Sequence, residues 1–312
     1  MLELTRYSIH DIENLNDFII GSYVIIDDIY KEVTPDYIKN RRNINDSIIS
    51  DSEIITISIV GELLMIPSEK AWLSFVKKNL RSLFPRTCDR SRFNRTRRNL
   101  KDIILLIRER LFYLLGYSFE KTYIIDSMPI PVCHFGRAVF HKTFQELATY
   151  GYCASKKETY YGFKLHVLAN LDGYIAKFCV TPANIDDRAA VWDLTEGMSD
   201  ITILGDKGYI SRTLPEALKQ EQNIQFIHLK RKGMKTLLPK SIVRCIGKLR
   251  RRVETTFSQL ANQLSINKVL AKSMDGFKSR IATKLLAHNL CYFINKALGK
   301  TIDIGKIKEL IY

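Results

Sequence analysis

Through the first third of the chain, apolar residues recur at three- and four-residue steps, the spacing of helices with one buried face. "IENLNDFIIGSYVIIDDIYKEV" carries this period, and "SDSEIITISIVGELL" opens on a Ser50/Asp51 cap signal. "SEKAWLSFVKKNL" follows the break at Pro67, and Pro85 closes it before one longer helix expected from Asp89 to Leu115. Near Lys121 the period shortens to two. "KTYIID" reads as a strand ending in an acid and two prolines, and "YYGFKLHVLAN" and "YIAKFCVTPA" alternate on either side of a Leu171-Asp172-Gly173 turn.

Helix and strand then take turns: "DDRAAVWDLTEGM" as helix, "ITILGD" as buried strand, "TLPEALKQEQ" as helix and "IQFIHLK" as strand. That alternation predicts an α/β domain built on a central sheet. Helical spacing returns from Ser241 to Leu264 and from Asp275 to Leu298. No internal repeat or low-complexity segment interrupts the pattern. The segment "FGRAVFHKTFQELATYGYCASKKET" shows no clear period and is expected to form a loop or small subdomain that touches a charged partner.

Charge narrows the partner. Lys and Arg outnumber Asp and Glu by 48 to 33, a formal +15, and the pI is near 9.5, which favours a polyanion. No apolar run approaches the roughly 18 residues of a membrane-spanning helix. The N-terminus "MLELTRYSIHDIENL" lacks the layout of a signal peptide, so a cytoplasmic protein is expected. The six cysteines form no CxxC pair and no zinc spacing. Lys77, Lys78, Arg81, Arg86, Arg90, Arg92, Arg95, Arg97 and Arg98 are opposed only by Asp89, in what resembles a helix-turn-helix unit with a phosphate-gripping face. A solvated helix face is the simpler explanation of the same run.

Asp126 ends one apolar run and Asp206 ends another, in "ITILGDKGYI". Acids just past strand ends can converge on one edge of a sheet, and paired carboxylates repel unless a cation lies between them. Glu254, in "KLRRRVETTFSQL", offers a third acid among Lys248, Arg250, Arg251 and Arg252. Oxygen ligands of this kind suit Mg²⁺ or Mn²⁺, and two such ions about 4 Å apart support in-line phosphoryl transfer. Each acid singly has a local explanation: Asp126 as a turn former, Asp206 as a helix cap, Glu254 as a partner of Arg250 one turn back. Asp187, in "TPANIDDR", is a possible further acid or a helix cap.

In the order Asp126, Asp206, Glu254, with 79 and then 47 residues between them, the chain resembles the DDE transposases of bacterial insertion sequences. It is most similar to the insertion-sequence family numbered nine-eighty-two. "IDSMPIPVC", "YYGFKLHVLANLDGYIAKFCVTPANIDDR", "LGDKGYI" and "VETTFSQL" carry the likeness, which runs from about residue 89 to 295.

The resemblance implies a ribonuclease-H-like domain, a mixed five-stranded sheet flanked by helices, to which the periodicity and the basic run add a helical N-terminal DNA-binding region. It also implies Asp126, Asp206 and Glu254 as catalytic metal ligands for Mg²⁺, with Mn²⁺ able to substitute, and no large insertion before Glu254. Of the tyrosine-arginine-glutamate-lysine signature of a related family, Arg250 is present, but Gly247 and Ala261 occupy the outer positions.

The domain division expected is 1–118, 119–298 and a 299–312 tail. The partners expected are the element's terminal inverted repeats and target DNA, with at least a homodimer assembled on them. Arg90, Arg92, Arg95, Arg97, Arg98, Lys164, Lys207, Arg250 and Arg251 are the candidate DNA contacts. His166 shares a strand face with Lys164 and reads first as a satisfied strand histidine. A metal-dependent nuclease of the same fold and a non-catalytic DNA-binding protein are the competing readings.

Overall fold

The computed structural model describes residues 12–44, 46–154, 156–229, 239–300 and 305–310. Residues 1–11, read above as lacking a signal peptide, lie outside that set, as do Lys230 of the expected last strand and residues 301–304 and 311–312 of the tail. In chain order the helices α1 (Leu15–Val33), α2 (Asp36–Lys39), α3 (Asp51–Leu63), α4 (Glu69–Asn79), α5 (Arg90–Asn99) and α6 (Lys101–Leu114) come first. Strands β1 (Thr122–Pro131), β2 (Thr149–Cys153), β3 (Glu158–Asn170) and β4 (Ile175–Pro182) follow. Then come α7 (Ala190–Thr195), β5 (Thr202–Gly205), α8 (Leu214–Gln222), β6 (Gln225–His228), α9 (Lys240–Asn262) and α10 (Met274–Ala297). They form two compact units, one of Met1–Gly116 with Asn262–Tyr312, the other of Tyr117–Ala261.

In the first unit, α3 is buried on nearly every side, as expected of a central helix. Ser50 and Glu53 close a capping box at its start. α10 is almost as buried and packs on α3, α5 and α6. Trp72 lies against Gly61, where a Cβ would come within 2.6 Å of its ring nitrogen, and that nitrogen donates to the Ile57 carbonyl at 2.9 Å. The single helix expected over Asp89–Leu115 is two, because the backbone turns at Leu100 (φ −87°, ψ 6°), which ends α5 and starts α6. Glu62 is buried with Arg280 at 3.0 Å and with Lys284, an ionic cluster that apolar periodicity does not announce.

The second unit is a mixed sheet flanked by helices. β1 pairs antiparallel with β3 and parallel with β5, and β5 pairs parallel with β6. Residues 158–162 of β3 pair with β2 and residues 163–169 with β4, both antiparallel. The β3–β4 turn is held by Asn170, whose side-chain oxygen accepts from the Asp172 and Tyr174 amides, while Gly173 takes φ +94°. β2, and a 3-10 turn over Phe135–Phe140, occupy the segment that showed no period. They leave Val139, Phe140 and Tyr152 exposed.

β1 does not end at Asp126 as its prolines suggest, but runs on to Pro131. The Val132 amide donates to Tyr161 of β3, so even-numbered amides of β1 face β3 and odd-numbered ones face away. Pro129 and Pro131 therefore turn their nitrogens to the edge that β5 covers only as far as Ile124, and break no ladder hydrogen bond.

Candidate active site

Ile124 pairs with Leu204 in the parallel β1–β5 register, so Asp126 and Asp206 each stand two residues beyond that pair. The apolar runs bury the strands, and their acids emerge side by side. Asp126 accepts a hydrogen bond from the Ser127 amide at 2.8 Å. Arg250 bridges the two: its Nη2 is 3.4 Å from Asp126 Oδ2 and its Nη1 is 3.1 Å from Asp206 Oδ1. Burial pushes the Asp126 carboxyl up to about 6, against the Ser127 hydrogen bond and the Arg250 charge, and the charges of Asp206 and Asp187 push the same way.

The sequence of α9 explains why Arg250 is there. Ile246, Arg250, Val253 and Leu260 are buried and fall at helical steps, so Arg250 stands within the stripe that packs inward. Thr256 fixes the helix by donating to the Gly173 carbonyl at 2.9 Å. Glu254 follows one turn after Arg250 and is exposed. Among the described residues, no group of three or more His, Cys, Asp or Glu is arranged to hold a metal ion.

Beside this pair lies a second polar group, which sequence reasoning raised only as an option. Lys164 Nζ donates to Asp187 Oδ1 at 2.7 Å and to the Ile185 carbonyl at 2.6 Å. The Ser127 hydroxyl reaches Asp187 Oδ2 at 3.2 Å. His166 shares the face of Lys164; its Nε2 meets Thr181 Oγ1 at 2.8 Å, and burial lowers its pKa to about 4, so it is neutral. The local turn is made instead by Asp186, which accepts from the Arg188 amide and guanidinium and is held at about 2 by them. α7 begins at Ala190 with no side-chain cap, so Asp187 is not a helix cap.

The basic candidates divide by exposure. Arg90, Arg92 and Arg95 on α5 are exposed, as are Lys77, Lys78, Arg81 and Arg86 before it. Arg97 is buried against Glu69 at 2.5 Å, and Arg98 is half-buried. In the second unit, Lys207 and Arg251 are exposed, whereas Lys164 and Arg250 are turned to Asp187 and to the two aspartates. No helix among the described residues is long and apolar enough to cross a membrane.

Residues 118–274, just over half of the chain, match the transposase DDE domain family. No curated protein and no solved structure matches. The strand-borne aspartates, and α9 that brings Arg250 to them, all fall inside the matched span, and the chain belongs to the transposase DDE domain family.

Proposed function

We propose that the protein is a cytoplasmic DNA transposase of the insertion-sequence type, of the family numbered nine-eighty-two, with a ribonuclease-H-like catalytic domain. The observation that carries the proposal is the meeting of Asp126 and Asp206 on one cation. The sheet is compatible with that fold: on one side of β1 the strands pair antiparallel, β1 with β3 and β3 with β2 and β4, and on the other β5 and β6 run parallel to it.

Asp126 and Asp206 fit a divalent metal, because two hard carboxylates already share a positive group. Glu254, one helical turn from Arg250, is exposed and is not grouped with them, so it would have to turn inward to supply the third acid. Asp126, Asp206 and Glu254 would hold Mg²⁺ or Mn²⁺, which when bound withdraws charge from phosphate oxygens during phosphoryl transfer. The chain's own part is positioning. Ser127 fixes the Asp126 carboxylate, Arg250 holds the acids at the strand ends, and Lys207 and Arg251 are free to meet DNA phosphates beside them. In the reaction, water opens a phosphodiester at the element end and leaves a 3′-hydroxyl. That hydroxyl then displaces a target 3′-oxygen, so each step forms one P–O bond and breaks one. Arg90, Arg92 and Arg95 contact the element's terminal repeats, and a homodimer or larger assembly pairs two ends.

An end-labelled duplex carrying a candidate element end, incubated with Mg²⁺, with Mn²⁺ and with chelator, tests this. Metal-dependent nicks and joined products are expected, and nicks without joining would indicate a nuclease. Asp206→Asn should lower cleavage by 10²-fold or more on the order of effect expected for a metal-site ligand, with DNA binding retained. The exposed position of Glu254 favours one alternative, a DNA-binding protein that does not cut. Binding without cleavage under every metal would establish that alternative.

A further inference from the structure

The two acids of "TPANIDDR" do different work: Asp186 makes the turn, and Asp187 is turned toward the sheet. Asp187 is bracketed by the two segments that carry the site aspartates. On one side its Oδ2 takes the hydroxyl of Ser127, the neighbour of Asp126. On the other, a Cβ placed on Gly208, two residues beyond Asp206, would lie 3.8 Å from the same oxygen. Its other oxygen is held by Lys164, which the Ile185 carbonyl also fixes.

We propose that Asp187 is a positioning residue of the catalytic centre: it holds Asp126 through Ser127, with Lys164 as its fixed counter-charge. The proposal rests on the transposase reading above. Ser127 is the link, because its hydroxyl is bound by Asp187 while its amide sets the Asp126 carboxylate. Two buried polar atoms stand open next to the pair. His166 Nδ1 lies 4.0 Å from Asp187 Oδ1, and the Tyr209 hydroxyl lies in the field of Asp187 and Asp126; neither has a hydrogen-bond partner among the described residues. Open polar atoms beside the acids call for a partner that the described residues do not supply there.

The test uses the full chain with Asp187→Asn, Ser127→Ala, Lys164→Met and the Asp187→Asn/Lys164→Met double variant. Mn²⁺ affinity is read by electron paramagnetic resonance without DNA. Cleavage of the labelled duplex is then followed as kcat and KM, with circular dichroism reporting the folded fraction. Asp187→Asn should weaken Mn²⁺ binding and lower kcat by about 10- to 100-fold, as for residues that orient metal ligands, with KM for DNA unchanged. Ser127→Ala should move both in the same direction by less, and removing the stranded Lys164 charge in the double variant should restore part of the Mn²⁺ affinity.

Wild-type Mn²⁺ affinity and kcat in Asp187→Asn would overturn the proposal, as would a loss matching the unfolded fraction. Should Asp187→Asn not fold, unchanged values in Ser127→Ala overturn it equally. A wild-type protein that neither binds Mn²⁺ nor cuts DNA removes the transposase reading itself, whereas a wild type that does both beside an unaffected Asp187→Asn removes only this inference.

Discussion

Asp126 is the residue whose ionisation the fold works against. Burial favours its neutral form, so its folded pKa, about 6, lies above the ordinary carboxylate value of 3.8. A raised folded pKa stabilises the protein while the acid keeps its proton. The contribution is therefore full below about 3.8 and is lost as pH rises through about 6. Asp186 and Glu62, whose values are lowered, act in the opposite sense. We expect the metal-free protein to lose stability across the interval from pH 3.8 to about 6, a decrease absent in Asp126→Asn, measured as urea midpoints from pH 3 to 8. Excess Mn²⁺ should move that decrease to lower pH, because the ion competes with the proton. Asp126 and Asp206 were legible in the sequence because each ends an apolar run, and a buried strand rarely carries an acid without cause. Arg250 was legible as a neighbour of Glu254 but not as the bridge, since its charge argues for the surface while its place in the stripe of α9 takes it inward. Asp186 and Asp187 are adjacent acids in one turn, and no spacing rule separates the one that caps locally from the one that faces the sheet.

Most helices and strands follow from period and caps, as α3 does from Ser50 and Glu53. The exceptions have local causes. β1 was expected to stop because proline usually ends a strand, yet both prolines fall on the side without ladder hydrogen bonds. β2 is not legible in the sequence because "TYGYC" places exposed tyrosines where alternation would put a polar face. That α10 packs on α3, α5 and α6 also exceeds what pattern can say, since periodicity marks a buried face without naming its partner. The joint between α3 and α10 depends on Glu62, which sits between Arg280 and Lys284. Glu62→Ala would leave two buried cations facing each other, and should cost about 3–5 kcal/mol, read from the urea midpoint.

For the molecule as a whole, the +15 charge sets its behaviour toward DNA. Each phosphate contact releases counterions, so log K should fall linearly with log salt. Replacing Arg90, Arg92 and Arg95 together by Ala should flatten that slope by about two to three, measured by fluorescence anisotropy on duplex DNA. If the slope does not change, these residues do not touch phosphate. A protein this cationic, were it gathered along DNA as proposed, would also have to avoid sticking to copies of itself. The prolines of β1 bear on that. Past Ile124 one margin of the strand has no neighbouring strand among the described residues, and there Ser127 has spent its amide on Asp126 while Pro129 and Pro131 have none to offer. A strand from another copy would find few donors along that margin, which disfavours sheet-to-sheet pairing beside the aspartates.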